Sequence, residues 1–479
     1  MMYQNRIKYL FNFLSISSAQ IISNLITFIS FSIIARHLGV DNFGIFSYYL
    51  SLTFILTKLT DFGFAPIVFR ELSKNYYDYK LLNVSINIRL ISFLVLLFIS
   101  NILLIFFKTS NSILMIFNFL MFSALISYKS LHIRELIDIP FKVHYTTYYS
   151  SLMVFIENIL LLLGVLFIRK FNYGIISFSF LYFIVSVPSL FVLVYLLYKR
   201  YEYKYNFQFN NIRELFKLSL PIFLCVISEN ISQQLDVMLL KFYYTNYEVG
   251  IYSALIRLVF PFLFIATAYV NNIFPVLSRE EKRTKLGNID IVSFSIKLLI
   301  IISVFITVLL FAKSDEIVHI VYGDKYISGS NALKILSISI IPLFYNFYLI
   351  NLIIAKNSQK YINYYSLILV FTNLIFNLIL LHFFSYYATS IVRALTLFAG
   401  FMYLRYIAYK LDFNIKIGTL KIIFFTLLFL IISQIISSSI PILFFIFIYL
   451  FLGITLIFIL RVINKEEIIL LMSLFKRKK

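Results

Sequence analysis

The chain has 479 residues, of which 61% are hydrophobic and only 13% charged, with a formal charge of +21. About a quarter of a soluble globular protein is charged, so this composition excludes that class and points to a polytopic membrane protein. A single cysteine, Cys225, and five scattered histidines exclude a disulfide framework and a cysteine- or histidine-rich metal site; no cofactor is implied.

A helix needs about 20 mostly apolar residues to cross the roughly 30 Å hydrocarbon core. Fourteen stretches meet that need: 14–35, 44–68, 84–107, 112–131, 147–168, 175–198, 215–240, 250–276, 291–312, 332–354, 362–382, 387–409, 420–438 and 442–460. The predicted fold is therefore all-α and polytopic, with about fourteen transmembrane helices. Two six-helix lobes, 1–205 and 206–410, precede two extra spans and a basic tail in 411–479. The opening "MMYQNRIKYLFN" leads into no short apolar core with a small-residue cleavage site, so no cleaved leader is expected.

Span 1 carries Ser17, Gln20, Asn24 and Thr27 at spacings of three, four and three, which puts them on one helical face. Lipid cannot satisfy such groups, so the stripe should face the bundle interior or a wet cavity. Interhelical hydrogen bonding is the plainer role for its Ser, Asn and Thr. Span 2 holds Lys58 and Asp61 three residues apart, open to reading as an ion pair or as cavity groups. Arg89 begins span 3, where the bias of positive charge accounts for it. Glu157 lies inside span 5, and a basic, polar linker, "KRYEYKYNFQFNNIRE" (199–214), joins the halves. Span 7 repeats the stripe as Cys225, Glu229, Gln233 and Asp236. A charge near the bilayer centre costs roughly 2.5–3.5 kcal/mol to insert, which makes Glu229 and Asp236 functional candidates. Arg36 and Lys241 sit at matching outer ends of spans 1 and 7, where long side chains snorkel. Span 8 contains Arg257, with no acid three or four residues away, the first candidate for a ligand contact. Lys297 begins span 9 as Arg89 begins span 3; Arg393 and Arg405 lie near opposite faces and read as snorkelling.

Assigned alternately, one set of loops with both termini holds 28 Lys+Arg, the other set holds 8, and six lie within spans. Positive charge marks the cytoplasmic side, so both termini are expected inside. The +21 then reflects topology, and no nucleic-acid partner is implied. The basic "FKRKK" end is placed to touch anionic lipid.

The two halves are similar. Gly44-Ile45-Phe46-Ser47 meets Gly250-Ile251-Tyr252-Ser253 at an offset of 206, and Leu72-Ser73-Lys74 meets Leu277-Ser278-Arg279 at 205. "SINIRLI" (85–91) meets "SFSIKLL" (293–299) at 208, and Glu157-Asn158 meets Thr372-Asn373 at 215. Six spans separate corresponding points, so the repeat is parallel, an arrangement found in transporters with a site between halves. Cations aimed at a polar interior from both halves suit a bulky anionic headgroup, because Arg forks match phosphate geometry. Candidate substrate contacts are Arg257, Lys58, Arg36, Lys241, Asn24 and Gln233. The acids Glu229, Asp236, Asp61 and Glu157 are candidates to neutralise those cations or to carry a coupling proton or sodium ion.

Leu38-Gly39, Phe43-Gly44-Ile45-Phe46, Asp61-Phe62-Gly63-Phe64 and Arg70-Glu71-Leu72 together resemble the N-terminal signature of the polysaccharide-biosynthesis flippases. These are the O-antigen and lipid-linked oligosaccharide flippases of the multidrug/oligosaccharidyl-lipid/polysaccharide exporter superfamily. "AKNSQKYINYYSLILVFTNLIFNLILL" (355–381), with Asn373 and Asn377, is similar to the family's second hallmark, and "NNIFPVLSRE" (271–280) to its exit from span 8. Two stretches depart from the pattern: Tyr387-Ala388-Thr389 at the start of span 12, and "LIDIPFK" (136–142) between spans 4 and 5. The resemblance implies a non-enzymatic flippase in the bacterial cytoplasmic (inner) membrane. Its cargo would be an undecaprenyl-diphosphate-linked oligosaccharide (an O-antigen, capsule or exopolysaccharide unit), moved by alternating access. It further implies that spans 1, 2, 7 and 8 line the cavity, and that membrane lipids and a polysaccharide polymerase complex are partners.

The rival readings are a multidrug exporter of the same superfamily, a membrane-embedded polysaccharide polymerase or ligase, and an inactive envelope scaffold. The exporter should have an acid-rich cavity and twelve helices. The enzyme should carry a long external loop, whereas the longest here, about 313–331, is short and mixed in charge. No nucleophile–base pair supports catalysis.

Overall fold

Apolar runs of this length must close their peptide hydrogen bonds within themselves in a bilayer. The computed structural model of the protein meets that demand with nineteen α-helices among the described residues. Backbone is described for residues 2–209, 212–277, 285–286, 289–413, 415, 418–437, 440–464 and 466–467. Side chains are described within those ranges for 22–209, 212–274, 277 and from 290 onward. The basic end of the chain from 468, the side chains of Ser17 and Gln20, and "SRE" at 278–280 lie outside the described residues.

By packing, the chain divides into Met1–Ser253 and Ala254–Lys479. The first unit contains α1 (Met2–Leu59), α2 (Ala65–Lys74), α3 (Lys80–Phe106), α4 (Asn111–Ile126), α5 (Ile133–Val143), α6 (Tyr148–Lys170), α7 (Ile175–Ile184), α8 (Ser186–Tyr201), α9 (Ile212–Tyr243) and the start of α10 (Asn246–Val259). The second holds the end of α10, then α11 (Leu263–Leu277), α12 (Ile291–Ala312), α13 (Ser314–Tyr322), α14 (Ser330–Ile338), α15 (Ile340–Ala355), α16 (Lys360–Leu380), α17 (Ser385–Lys410), α18 (Thr419–Ser437) and α19 (Ile442–Ile459). A two-residue antiparallel bridge, Lys285–Leu286 with Ile289–Asp290, precedes α12.

Among the described residues, twelve helical stretches are long and apolar enough to cross a membrane. The difference from fourteen falls at two places. Spans 1 and 2 run together as α1, whose helical path breaks only at Gly39, at φ 72° and ψ 176°. That conformation is open to glycine and strained for other residues. The fourth span is a helix of 16 residues, α4, which stops at Ile126 rather than reaching 131. Span 2 is also shorter than expected: its helix ends at Leu59, and Asp61 lies in the following turn. Six helices (α3, α5, α6, α15, α17 and α19) end two residues before a left-handed residue, respectively Lys108, Tyr145, Asn172, Asn357, Asp412 and Arg461. Such ends satisfy carbonyls that the last turn leaves open.

In the first unit α1 packs on α4, α6, α7 and α9, and α2 packs on α5. The linker after α8 is an extended strap along the start of α3. Tyr203 and Tyr205 donate to Asn83 and Asn87 at 2.6 and 2.5 Å. Those asparagines, one helical turn apart, donate back to the carbonyls of Lys204 (3.2 Å) and Gln208 (3.0 Å). In the second unit α18 and α19 dock on α12 through Phe305, which meets the rings of Phe429 and Tyr449 at 5.2 and 5.7 Å. Lys313, buried, donates to the carbonyls of Ser437 and Ile440 at 2.7 and 2.6 Å, closing the end of α18.

Candidate functional site

The turn after α1 is built around Asp61. Phe62 and Gly63 take left-handed angles (φ 55° and 67°), so the helix cannot continue. A Cβ on Gly63 would lie 2.7 Å from the Phe223 backbone nitrogen in α9. The turn presents Asp61 to two cations. Lys58 Nζ donates to Oδ2 at 2.8 Å, and Arg89 Nη2 donates to Oδ1. Arg89 also donates to the carbonyls of Asp61 and His132 at 2.9 and 2.6 Å and lies 3.6 Å from Glu135. Lys58, Asp61, Arg89 and His132 are all buried. Because the Thr60 hydroxyl donates to the Thr57 carbonyl, its oxygen takes the Nε2–H of His132 at 2.9 Å. Nδ1 of that ring is left bare, without a partner among the described residues. Burial, with Arg89 beside the ring, pushes the imidazole down to about 3, so it stays neutral at physiological pH.

A second buried cluster surrounds Glu157 on α6. Its Oε1 accepts from Ser127 and Ser186 at 2.9 and 2.6 Å, and its Oε2 from Ser189 at 2.9 Å. Arg134 on α5 donates to Ser189 at 3.0 Å and to Asp138 at 3.3 Å, while Ser150 donates to Asp138 at 2.8 Å. Next to Glu157, Asn158 accepts from Thr27 at 2.7 Å and exchanges hydrogen bonds with Tyr128. The Lys129 ammonium stands 4.5 Å from the Tyr182 ring centre. Three helices (α1, α6 and α8) and the α4–α5 turn thus meet on one pair of adjacent side chains.

On α9, Gln233 donates to Glu229 at 3.4 Å, and both are exposed. Asp236 is buried and accepts from Tyr252 at 2.6 Å. Lys58 is the charged group that acts on Glu229, so the structure brings Lys58, Asp61 and Glu229 into one neighbourhood. Asn24 and Lys241 are half-buried and Arg36 is exposed. Arg257 belongs to the second unit, half-buried in the last turn of α10. There Phe260–Phe262 tighten into a 3₁₀ turn around Pro261, a feature that often marks a hinge. Arg393 stands 5.5 Å from the Phe260 ring centre.

Several placements correct the reading of the cations. Arg89 is fully enclosed, so its pairing with Asp61, not a bias of loop charge, accounts for it. Lys297 is likewise buried and pairs with Glu467 at 2.8 Å. Arg393, at 4% exposure, does not snorkel, and Arg405 donates to the Tyr345 hydroxyl at 2.8 Å. Sequence reasoning missed Arg134, His132 and the three serines around Glu157. Of these only Arg134–Asp138, four residues apart in "IRELID", carried a readable signal. Chemically, the three buried cations of the two clusters in the first unit face acids: Lys58 and Arg89 share Asp61, Arg89 also lies beside Glu135, and Arg134 holds Asp138. Clusters so matched hold helices in register.

The family described as "Polysaccharide biosynthesis protein" matches this chain over residues 9–281, more than half of its length. No curated protein matches it. Among solved structures, the lipid II flippase MurJ in an inward closed conformation superposes with a TM-score of 0.74 at 19% identity, covering 95% of this chain and 99% of the flippase. An inward-facing multidrug resistance MATE family transporter of the MOP superfamily scores 0.61 at 12% identity, over 82% of this chain and 96% of its own. The MATE multidrug transporter DinF-BH scores 0.60 at 16% identity, over 84% and 95%. At such identities the likeness is one of fold.

Proposed function

The chain belongs to the polysaccharide biosynthesis protein family, and from that premise we propose that it is a flippase for a lipid-linked oligosaccharide. The cargo is an undecaprenyl-diphosphate-linked repeat unit, carried from the cytoplasmic to the outer leaflet by alternating access, in a protein with both termini inside. One observation carries the reading: the family match coincides with a flippase fold over 95% of the chain, against 82–84% for the multidrug transporters. The chemistry agrees. A diphosphate needs a charge-assisted fork, and Arg257, placed just before a broken helix, supplies one. Glu229 and Gln233, exposed on α9, are polar groups suited to a sugar headgroup. Glu157 and Asp236, both buried in hydrogen bonds, are the groups through which a coupling proton or sodium ion would act.

The test uses a strain lacking this protein. Lipid-linked glycans should accumulate on the inner leaflet, and the intact gene should clear them. Arg257→Ala should insert at normal abundance yet fail to restore surface polysaccharide, since losing one charge-assisted contact costs roughly 1.5–3 kcal/mol, about ten- to a hundredfold in affinity. Arg257→Lys should recover part, because a point charge replaces a bidentate fork. A deletion strain with normal glycan export and raised sensitivity to cationic drugs would move the protein to the multidrug branch.

A further inference from the structure

We propose that α16 and α17 carry a binding site for an anionic glycerophospholipid, with its phosphate at the Lys360–Lys410 end and one acyl chain along α16. The inference rests only on the chain's place in a membrane. A groove of about 530 Å³ with almost wholly apolar walls is lined by Tyr364, Leu367, Phe371, Ile375 and Phe376 of α16 and Tyr403 of α17. The α16 residues recur three and four apart, so the groove follows one helical face from 364 to 376, about 18 Å at 1.5 Å per residue. That is about one leaflet of a roughly 30 Å hydrocarbon core, the depth of a phospholipid acyl chain and much less than an extended polyprenyl chain needs.

The polar end of the groove is equally specific. Tyr403 donates to the Tyr361 carbonyl at 3.1 Å, one helical turn before Tyr364. Over the Tyr361 ring converge two ammonium groups, Lys360 at 5.2 Å and Lys410 at 5.9 Å from its centre. Both lysines are exposed. Among the described residues the ion pairs of this unit are Lys297–Glu467, Lys313–Glu316 and His319–Asp324, so neither lysine is neutralised by an acid. Two cations at the mouth of an aromatic trough complement a phosphate and its chain.

Native mass spectrometry of the purified, delipidated full chain, re-supplied with equal amounts of phosphatidylglycerol and phosphatidylcholine of the same chains, tests this. Each lysine beside an anionic headgroup contributes about fivefold, so phosphatidylglycerol should be retained about 25-fold better. Lys360→Gln with Lys410→Gln should bring the two lipids near parity, while Lys360→Arg with Lys410→Arg keeps the preference and controls for folding. Phe371→Ala should lower retention of both lipids alike. Parity in the parent chain, an unchanged preference in the glutamine variant, or displacement of phosphatidylglycerol by equimolar undecaprenyl phosphate would each overturn the assignment, the last by giving the groove to a carrier lipid.

Discussion

Replacing Asp61 by asparagine keeps the shape of the turn after α1 and removes one charge from a cluster that otherwise balances. Counting the groups within ion-pair distance, Lys58 and Arg89 bring two positive charges, Asp61 and Glu135 two negative. Arg89 is fully enclosed and Lys58 nearly so, which leaves little solvent to screen the excess. Removing one partner of a buried pair costs about 3–5 kcal/mol. Glu135, 3.6 Å from Arg89 and partly exposed, relieves some of this, so Asp61→Asn should lose about 3 kcal/mol. Lys58→Met alone should lose less, since Asp61 keeps Arg89. The diagnostic variant carries both changes, for one cation then faces one acid, and it should be more stable than Asp61→Asn by itself. Thermal retention of monodisperse protein in detergent, beside surface polysaccharide in the deletion strain, reads both stability and transport. An Asp61→Asn protein as stable as the parent, or a double variant less stable than the single, would refute the charge-balance argument. Lys58 would become a substrate contact only if the double variant were stable and inactive.

Glu157→Gln leaves one acceptor oxygen for three serine donors, so it should cost about 1–3 kcal/mol of stability, and a coupling role requires transport to fall further than membrane abundance. The folded-state pKa of His132 is depressed, so its neutral ring supports the fold above the unfolded value of about 6.5 and that support is lost as pH falls toward about 3. Thermal retention should therefore drop between pH 6.5 and 5 in the parent and drop less in His132→Gln. Gly44→Ala would place a Cβ 1.9 Å from the Asn246 carbonyl oxygen; overpacking of about 1–3 kcal/mol should outweigh the gain of about 1 kcal/mol in helix propensity, and a rise in thermal retention would contradict it.

The helical class, most spans and the hallmark turn were legible because they depend on local rules of apolar length, periodicity and glycine. Gly39 and Gly63 both take positive φ in motifs recognised from the sequence. Span count blurred where a local rule met tertiary context, since nothing near Gly39 shows that the helix resumes at once. Partners were the illegible part. Arg89 finds Asp61 across 28 residues and Glu157 finds Ser186 and Ser189 across about 30, and no periodicity announces such meetings. Lys313 shows the same limit from the other side: counted among loop charges, it is buried against the end of α18.

The repeat itself brings its two copies into close backbone contact. A Cβ on Gly44 would meet the Asn246 carbonyl, and a Cβ on Gly250 would meet the Val40 carbonyl at 2.1 Å. Both the glycines and the carbonyls are related by the offset of 206, so the contact is reciprocal: each copy supplies the gap that the other fills. Such a crossing requires the small residue twice. The charged and amide candidates do not follow this rule. At the same offset Glu229 stands against Ser23, Gln233 against Thr27, Asp236 against Ser30 and Arg257 against Ser51. Ser30 turns inward on its own helix to the Ile26 carbonyl, and Thr27 binds Asn158, roles that packing alone explains. Backbone contact is thus symmetric while these four side chains are not. Lys58 and Asp61 likewise stand against Phe264 and Thr267 at the same offset, and an ion pair accounts for them, so asymmetry alone does not separate packing from transport. Asp236 accepts from Tyr252 and Gln233 donates to Glu229, so a role beyond packing on α9 and α10 requires transport to fall further than membrane abundance when these side chains are replaced.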